Sequence, residues 1–489
     1  VTFFQAQQLA TKNQRLSAML DLTAGILKPA DPYNALESPG TDEEGGGAAA
    51  FEAILDRAAD QLQSASDQYS ALEFTTLQHI VGMINYHMSR TDEARNLFQR
   101  ALAVRADELG DDSPELIELL VQLTHVNWVA RDFDAVCQQS NRAYDIARRN
   151  FDPPHALLAV TQGNLANYSR MMADFGYRDC AITAGQSIET LFTQALENYA
   201  AAEPSEEMAE TWRAYSNMLN SLKRAEESYA AADEALRIDL KVHGPQHVKV
   251  AIDYSSKAVA LMHQRQYQGA TDLMDAAIKI HEEAVRARPR LQKGHLVRAY
   301  WIRGQLHEKL SNYERAFLDY RRSYEGARQL TNGEQEVGKA LHGMAQSLAS
   351  LGRPQEAEPV FQQAIAVFRE VGGLSPAFEA TLRGDYGALL FELRRLDDAR
   401  AIYLEALALL EVDEPASFGP FPENFVIGVL MSGLGEVEAM ACNVEQATAL
   451  QNNAVKLLES VIPGFPQTLE AQRRLRALPP DFCRNAAQL

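Results

Sequence analysis

The sequence predicts an all-α fold, an α-solenoid of about nine helix pairs with further helices at the N-terminus. Three observations carry that reading. Ala, Leu, Glu, Gln and Arg dominate the 489 residues, which favours helix over strand. No stretch alternates apolar and polar residues cleanly enough for a half-buried strand. One spacing also recurs along most of the chain: a small residue, a second small residue twelve positions on, a bulky one four further, and a small one three beyond that.

In chain order, residues 1–28 read as one helix, ended by Pro29 and Asp31-Pro32. Residues 38–50 form an acidic, Gly-rich linker whose three carboxylates fit no calcium-loop spacing, and 51–64 form a second helix. The domain boundaries follow: 1–71 for these N-terminal helices and loop, 72–462 for the repeat array, and 463–489 for a Pro-containing tail.

Within the array the most regular copy is 387–409. Gly387 lies in a first helix and the turn falls at 394–396. Ala399, Tyr403 and Ala406 share one face of a second helix. A small residue at 387 lets the two helices approach closely, and Tyr403 fills the gap between one pair and the next. The same spacing appears at Gly82/Ala94/Phe98/Ala101, Ala258/Ala270/Met274/Ala277, Gly304/Ala316/Tyr320/Ser323, Ala345/Ala357/Phe361/Ala364 and Gly435/Ala447/Gln451/Ala454. A weaker copy runs through Ser216, Ser228, Ala232 and Ala235. Two more are irregular: one holds Ala135 and Ala143, off by one residue, and one ends at Ala195 after an insertion near 171–186. Such a hairpin cannot bury its own apolar face, so it needs neighbours on both sides.

Charge narrows the functional classes. The formal net charge of −20, from 66 acidic and 46 basic residues, opposes binding to nucleic acid or anionic membrane. A short basic cluster (Arg286, Arg288, Arg290, Lys293, Arg298, Arg303) reads as a solvated helix junction. No run of apolar residues is long enough to span a membrane. The chain begins with Val, which suggests a piece of a longer or processed protein. Catalytic patterns are absent: 333–340 imitates a phosphate-binding loop but lacks its Ser/Thr and a preceding strand, and His281-Glu282-Glu283 lacks a second His. No cofactor or metal is expected, and the chain reads as non-enzymatic. Cys137 and Cys180 lie 43 apart and Cys442 and Cys483 41 apart, with no zinc spacing. Buried free thiols are the plain expectation. In an oxidising compartment Cys442–Cys483 is the better pair, because it would pin the tail to the last repeat.

These spacings identify the array as similar to tetratricopeptide repeats. The period of about 42 residues resembles the longer variant of kinesin light chains and many bacterial signalling proteins, and 109–115 and 243–247 look like its connecting loops. The resemblance implies a right-handed superhelix whose first helices line a concave groove that takes a protein or peptide ligand. Counted three before, one after and four after the small residue, the groove candidates include His79, Met83, Tyr86, Asn167, Arg170, Arg213, Asn217, Asn220, Ser255, Met262, Trp301, Gln305, Glu308, His342 and Gln346. Asn167, Arg170, Arg213, Asn217 and Asn220 would form a polar stripe suited to peptide amides and carboxylates. Trp301 reads as packed between helices.

A narrower resemblance covers roughly 5–63, where a Leu-rich helix, Ala30-Asp31-Pro32, a loop and Ala53-Ile54-Leu55-Asp56-Arg57 precede the repeats. That order looks like the extracytoplasmic half of bacterial membrane-anchored serine/threonine kinases. It implies a periplasmic sensor, tethered through a segment before Val1 and able to pair as a homodimer. A cytoplasmic scaffold or adaptor is the alternative.

Overall fold

The computed structural model describes residues 70–478, except 88–89, 174–185, 201, 288–292, 331–332, 372–375, 411–422, 462–463 and 465. The two helices and acidic linker expected before residue 65 lie outside the described residues, as does most of the insertion expected near 171–186. Among the described residues there are α-helices and a short 3-10 turn, and no strand. In chain order the helices are α1 (Ala71–His87), α2 (Thr91–Leu109), α3 (Ile117–Val129), α4 (Phe133–Asn150), α5 (Ala156–Ala173), α6 (Ile188–Asn198), α7 (Glu206–Ser221), α8 (Ala225–His243), α9 (Val248–His263) and α10 (Tyr267–Ala287). They continue as α11 (Lys293–Lys309), α12 (Tyr313–Ala327), α13 (Glu334–Ser350), α14 (Pro354–Val371), α15 (Pro376–Glu392), α16 (Leu396–Ala408), α17 (Glu423–Met440), α18 (Val444–Val461) and α19 (Pro466–Arg476).

The chain divides into two compact units. One is Val1–Tyr168 with Cys180–Ser187 and Thr193–Ala202; the other is Ser169–Asp179 with Ile188–Phe192 and Glu203–Leu489. The first unit holds the α1–α2 and α3–α4 hairpins. Phe98 sits fully buried against Leu119, Leu123 and Val126. The second unit is a run of six hairpins, α7–α8 through α17–α18, closed by α19. The first helices of successive hairpins in this run also pack on one another, which puts them on the inner, tighter side of the stack.

Why these residues form hairpins is visible at the turns. Arg131, Lys223, Arg265, Ser311, Gly352, Arg394 and Cys442 all adopt positive φ, between 58° and 70°. Each turn closes in the same way. At α15–α16, Arg395 N–H donates to Leu390 O and Arg394 N–H to Phe391 O, both at 2.9 Å. These two bonds satisfy carbonyls that the helix end leaves without intrahelical partners.

The recurring spacing is the packing code. Ala399 and Ala406 are fully buried and Tyr403 nearly so. A methyl group added at Gly387 would lie 3.0 Å from the Tyr403 ring, and one at Gly433 of the next hairpin 2.6 Å from it. Tyr320 is held likewise, 2.7 Å from such a group at Gly304 and 2.6 Å at Gly343. In the last hairpin Gln451 takes the aromatic slot, fully buried; its amide donates to Ser432 O at 2.7 Å and accepts from Ser432 Oγ at 3.1 Å.

Two sequence expectations change. The irregular copy in α4 is in register after all, because Val136, Ser140 and Ala143 fill the three buried slots and Ala135 lies outside them. The expected tail contains a helix: α19 buries Thr468 and Ala471 against the last hairpin.

The cysteines change more. Among the described residues no cysteine is free; Cys137 on α4 and Cys442 at the α17–α18 turn are both disulfide-bonded. That overturns the expectation of buried free thiols. Neither sulfur belongs to the apolar core, since Cys137 is half-buried and Cys442 is exposed.

Candidate functional site

The inner face of the second unit is built by one stripe on each first helix. Three residues before the small position it carries Arg213, Ser255, Trp301 and His342; one after, Asn217, Gln305 and Gln346; four after, Asn220, Met262 and Glu308.

Much of this stripe is already occupied. Arg213 is buried, with Nη2 on Asp239 Oδ2 and Nε on Asp253 Oδ1, both at 2.6 Å. Both carboxylates are wholly buried. Burial works against the Arg213 charge, but Asp253 and its neighbours outweigh it and hold the guanidinium pKa up. Burial pushes Asp253 up to about 7, against the pull of Arg213. Lys249 closes the cluster on Glu206 at 2.9 Å and also binds Glu210. Arg213 therefore ties α7, α8 and α9 together, and its guanidinium is not available to a ligand.

Further along, His342 is buried with Nε2 2.7 Å from Asp385, which also accepts from Gln346. Glu308 accepts a 2.9 Å bond from the Tyr320 hydroxyl, and burial pushes its carboxyl up to about 7. Asn217 is half-buried; Asn220 is buried, and its amide nitrogen and oxygen both lack hydrogen-bond partners among the described residues. Trp301, a groove position by its spacing but read as packed between helices, packs against the cluster of Ala258, Met274, Tyr300 and Leu306. Asn167 and Arg170 are half-buried on α5. Asn167 belongs to the first unit and Arg170 to the second.

The basic cluster read from the sequence resolves into different roles. Arg303 is bidentate to Asp319 at 2.7 Å and reaches Asp275, while Arg286 lies 3.6 Å from Glu282. Arg298 makes no hydrogen bond or ion pair among the described residues. Neither does Lys339, in the stretch that imitates a phosphate loop. That stretch opens directly into α13, where Lys339 is the sixth residue. Sequence reasoning missed this pair, although a signal existed: Arg298 stands six residues before Gly304 and Lys339 six before Ala345.

Among the described residues, no group of three or more His, Cys, Asp or Glu could hold a metal, and no helix is long and apolar enough to cross a membrane.

Comparison with known proteins agrees with this geometry. A tetratricopeptide repeat model matches residues 336–411, and a second such model matches 76–115 and 254–286. No curated protein matches the chain. Solved structures similar to it include a Rap protein complexed with Competence and Sporulation Factor, 13% identical over 76% of this chain and 99% of that one, with a TM-score of 0.48. Aspartyl phosphate phosphatase F from Bacillus subtilis is 14% identical over 79% and 93%, with a TM-score of 0.47. BtubC (BKLC) from P. vanneervenii is 17% identical over 50% and 94%, with a TM-score of 0.39. With three matched segments falling on hairpins of the expected spacing, the chain carries tetratricopeptide repeats, a scaffold for protein–protein interaction.

Proposed function

We propose that the chain is a non-catalytic sensor that binds a protein or peptide on the inner face of its repeats and works outside the cytoplasm. The observation that carries the location is the pairing of Cys137 and Cys442 in disulfides. Disulfides persist in oxidising compartments and are rare where glutathione keeps thiols reduced. The resemblance of residues 5–63 supports coupling to a membrane-anchored serine/threonine kinase through a segment before Val1. Ligand occupancy would then alter the curvature or self-association of the repeats and so the pairing of kinases across the membrane.

Peptide mass spectrometry without reductant, on protein made in its native host, tests the location. Cys137 and Cys442 are expected in linked peptides. Finding both alkylated as free thiols would sink the extracytoplasmic reading and favour a cytoplasmic scaffold. The kinase coupling is tested separately by the gene sequence upstream of Val1, where a kinase domain and a membrane-spanning helix are expected.

A further inference from the structure

A cavity of about 510 Å³ opens where α4 ends, away from the inner stripe. Its size falls within the roughly 300–1,000 Å³ of small-molecule sites. Every residue that lines it belongs to the first unit. The end of α4, the connector after it, the start of α5 and the end of α6 supply the walls. On α5 the lining residue Leu158 stands nine positions before the groove candidate Asn167. That is about two and a half helical turns, so the two residues face opposite sides of the helix.

The floor is a chain of carboxamides whose direction is fixed at one end. The His155 N–H donates to Asn198 Oδ1 at 3.2 Å. That sets the Asn198 amide nitrogen on Gln162 Oε1 at 2.8 Å, and the Gln162 nitrogen in turn on Gln194 Oε1 at 3.2 Å. The Gln194 amide nitrogen, at the far end of the chain, is left with no acceptor among the described residues. Gln162 and Asn198 are 4 % and 6 % exposed, so this order belongs to the interior and is held in place by packing. Tyr144 is 7 % exposed and lines the same cavity. Its hydroxyl makes no hydrogen bond among the described residues, yet it is not sealed from solvent, so it opens on the cavity. A hydroxyl placed this way costs stability until something supplies its partner.

The lining also selects by charge and shape. Its buried residues are neutral, and its three charged ones, Arg148, Asp152 and Glu197, are all exposed. Arg148 is held by Asp145 at 2.8 Å, while Asp152 and Glu197 make no ion pair among the described residues. A net negative rim over a neutral floor disfavours an anion and suits an uncharged ligand. Phe151 forms one wall, its ring stacked on His155 with centroids 3.9 Å apart and planes 9° from parallel. An aromatic face braced in this way accepts the C–H side of a flat saturated ring. The groups left unpaired are a donor on Gln194, a hydroxyl on Tyr144 that can donate or accept, and two carboxylates that only accept. A peptide backbone brings one N–H per residue to such a site. A sugar ring brings several hydroxyls in the same length, each both donor and acceptor.

We propose that this cavity binds a neutral mono- or disaccharide, with its hydroxyls on Tyr144, Gln194 and Glu197 and one ring face on Phe151. The site lies off the inner face, so it stands or falls separately from the peptide-binding reading.

The test is saturation-transfer NMR on the whole chain with maltose, lactose and N,N′-diacetylchitobiose, and with an N-acetylated, C-amidated Gly-Ser-Pro-Gly as a neutral peptide. At least one sugar should receive saturation and the peptide none. Tyr144→Phe and Gln194→Ala should each weaken sugar binding roughly fivefold, the loss of one neutral hydrogen bond. Lys279→Gln, at an exposed position on α10, should not. Tyr144→Phe should also leave the melting temperature unchanged, because the hydroxyl holds nothing in the fold; a lower melting temperature with sugar binding intact would overturn its place in the site. Binding should persist when sodium chloride is raised to about 0.5 M, where exposed charges are screened. A steep loss with salt would overturn the neutral-ligand assignment. No saturation of any of the three sugars, or equal saturation of the peptide, would overturn the saccharide site.

Discussion

Glu308 shows how one residue joins packing to pH. Its carboxyl accepts from the Tyr320 hydroxyl and is raised from 4.5 to about 7, chiefly by burial. The folded state therefore holds this proton more tightly than the unfolded state. Its contribution to stability is complete below pH 4.5 and is lost as pH rises through about 7. His281 and His295, lowered to about 4, act in the opposite sense: their contribution is present above 6.5 and is lost as pH falls toward 4. Glu308→Gln isolates the carboxyl. Thermal unfolding should show the variant equal to the parent near pH 5 and more stable near pH 8, the ionised form being gone. A variant less stable at the higher pH would contradict this account. The residue scale is also where the sequence was least legible. Arg213 stood out as a groove residue, but its partners lie 26 and 40 positions away in the chain. Nothing local marks Asp239 and Asp253 as buried on it, so a guanidinium that staples three helices together looks in sequence like one offered to a ligand.

At the scale of the element, the hairpins were readable because their spacing is a packing constraint. A small residue must face a bulky one twelve plus four positions on, and that requirement survives large changes elsewhere. It misled only in α4, where alanine at 135 drew attention from the register held by Val136, Ser140 and Ala143. The slots accept any side chain of suitable volume, and Ser140 fits because its hydroxyl donates to Val136 O at 2.8 Å. The left-handed turn residues were not readable, since six of the seven are not glycine. An L-residue there carries a cost of about 1 kcal/mol or somewhat more. Arg394, exposed at φ 63°, should therefore gain about 1 kcal/mol on replacement by glycine, measured by chemical denaturation. No gain, or a loss, would mean that the arginine side chain makes an offsetting contribution.

At the scale of the whole molecule, a chain that divides into two compact units and whose described hairpins pack chiefly on the next in line does not favour all-or-none unfolding. Calorimetry should give an enthalpy larger than the van't Hoff value from the same transition, and equality of the two would show tighter coupling than the contacts suggest. The glycine-clasped tyrosines say where such a chain can yield. Tyr320 and Tyr403 are each gripped from both sides, so the joints between α11–α12 and α13, and between α15–α16 and α17, have no free volume into which a ring could swing. The corresponding slot one hairpin earlier holds Met274, an unbranched side chain that changes shape cheaply. A force applied along the stack would therefore be transmitted rigidly through the tyrosine joints and taken up as a hinge at Met274, beside the helix that carries Arg298.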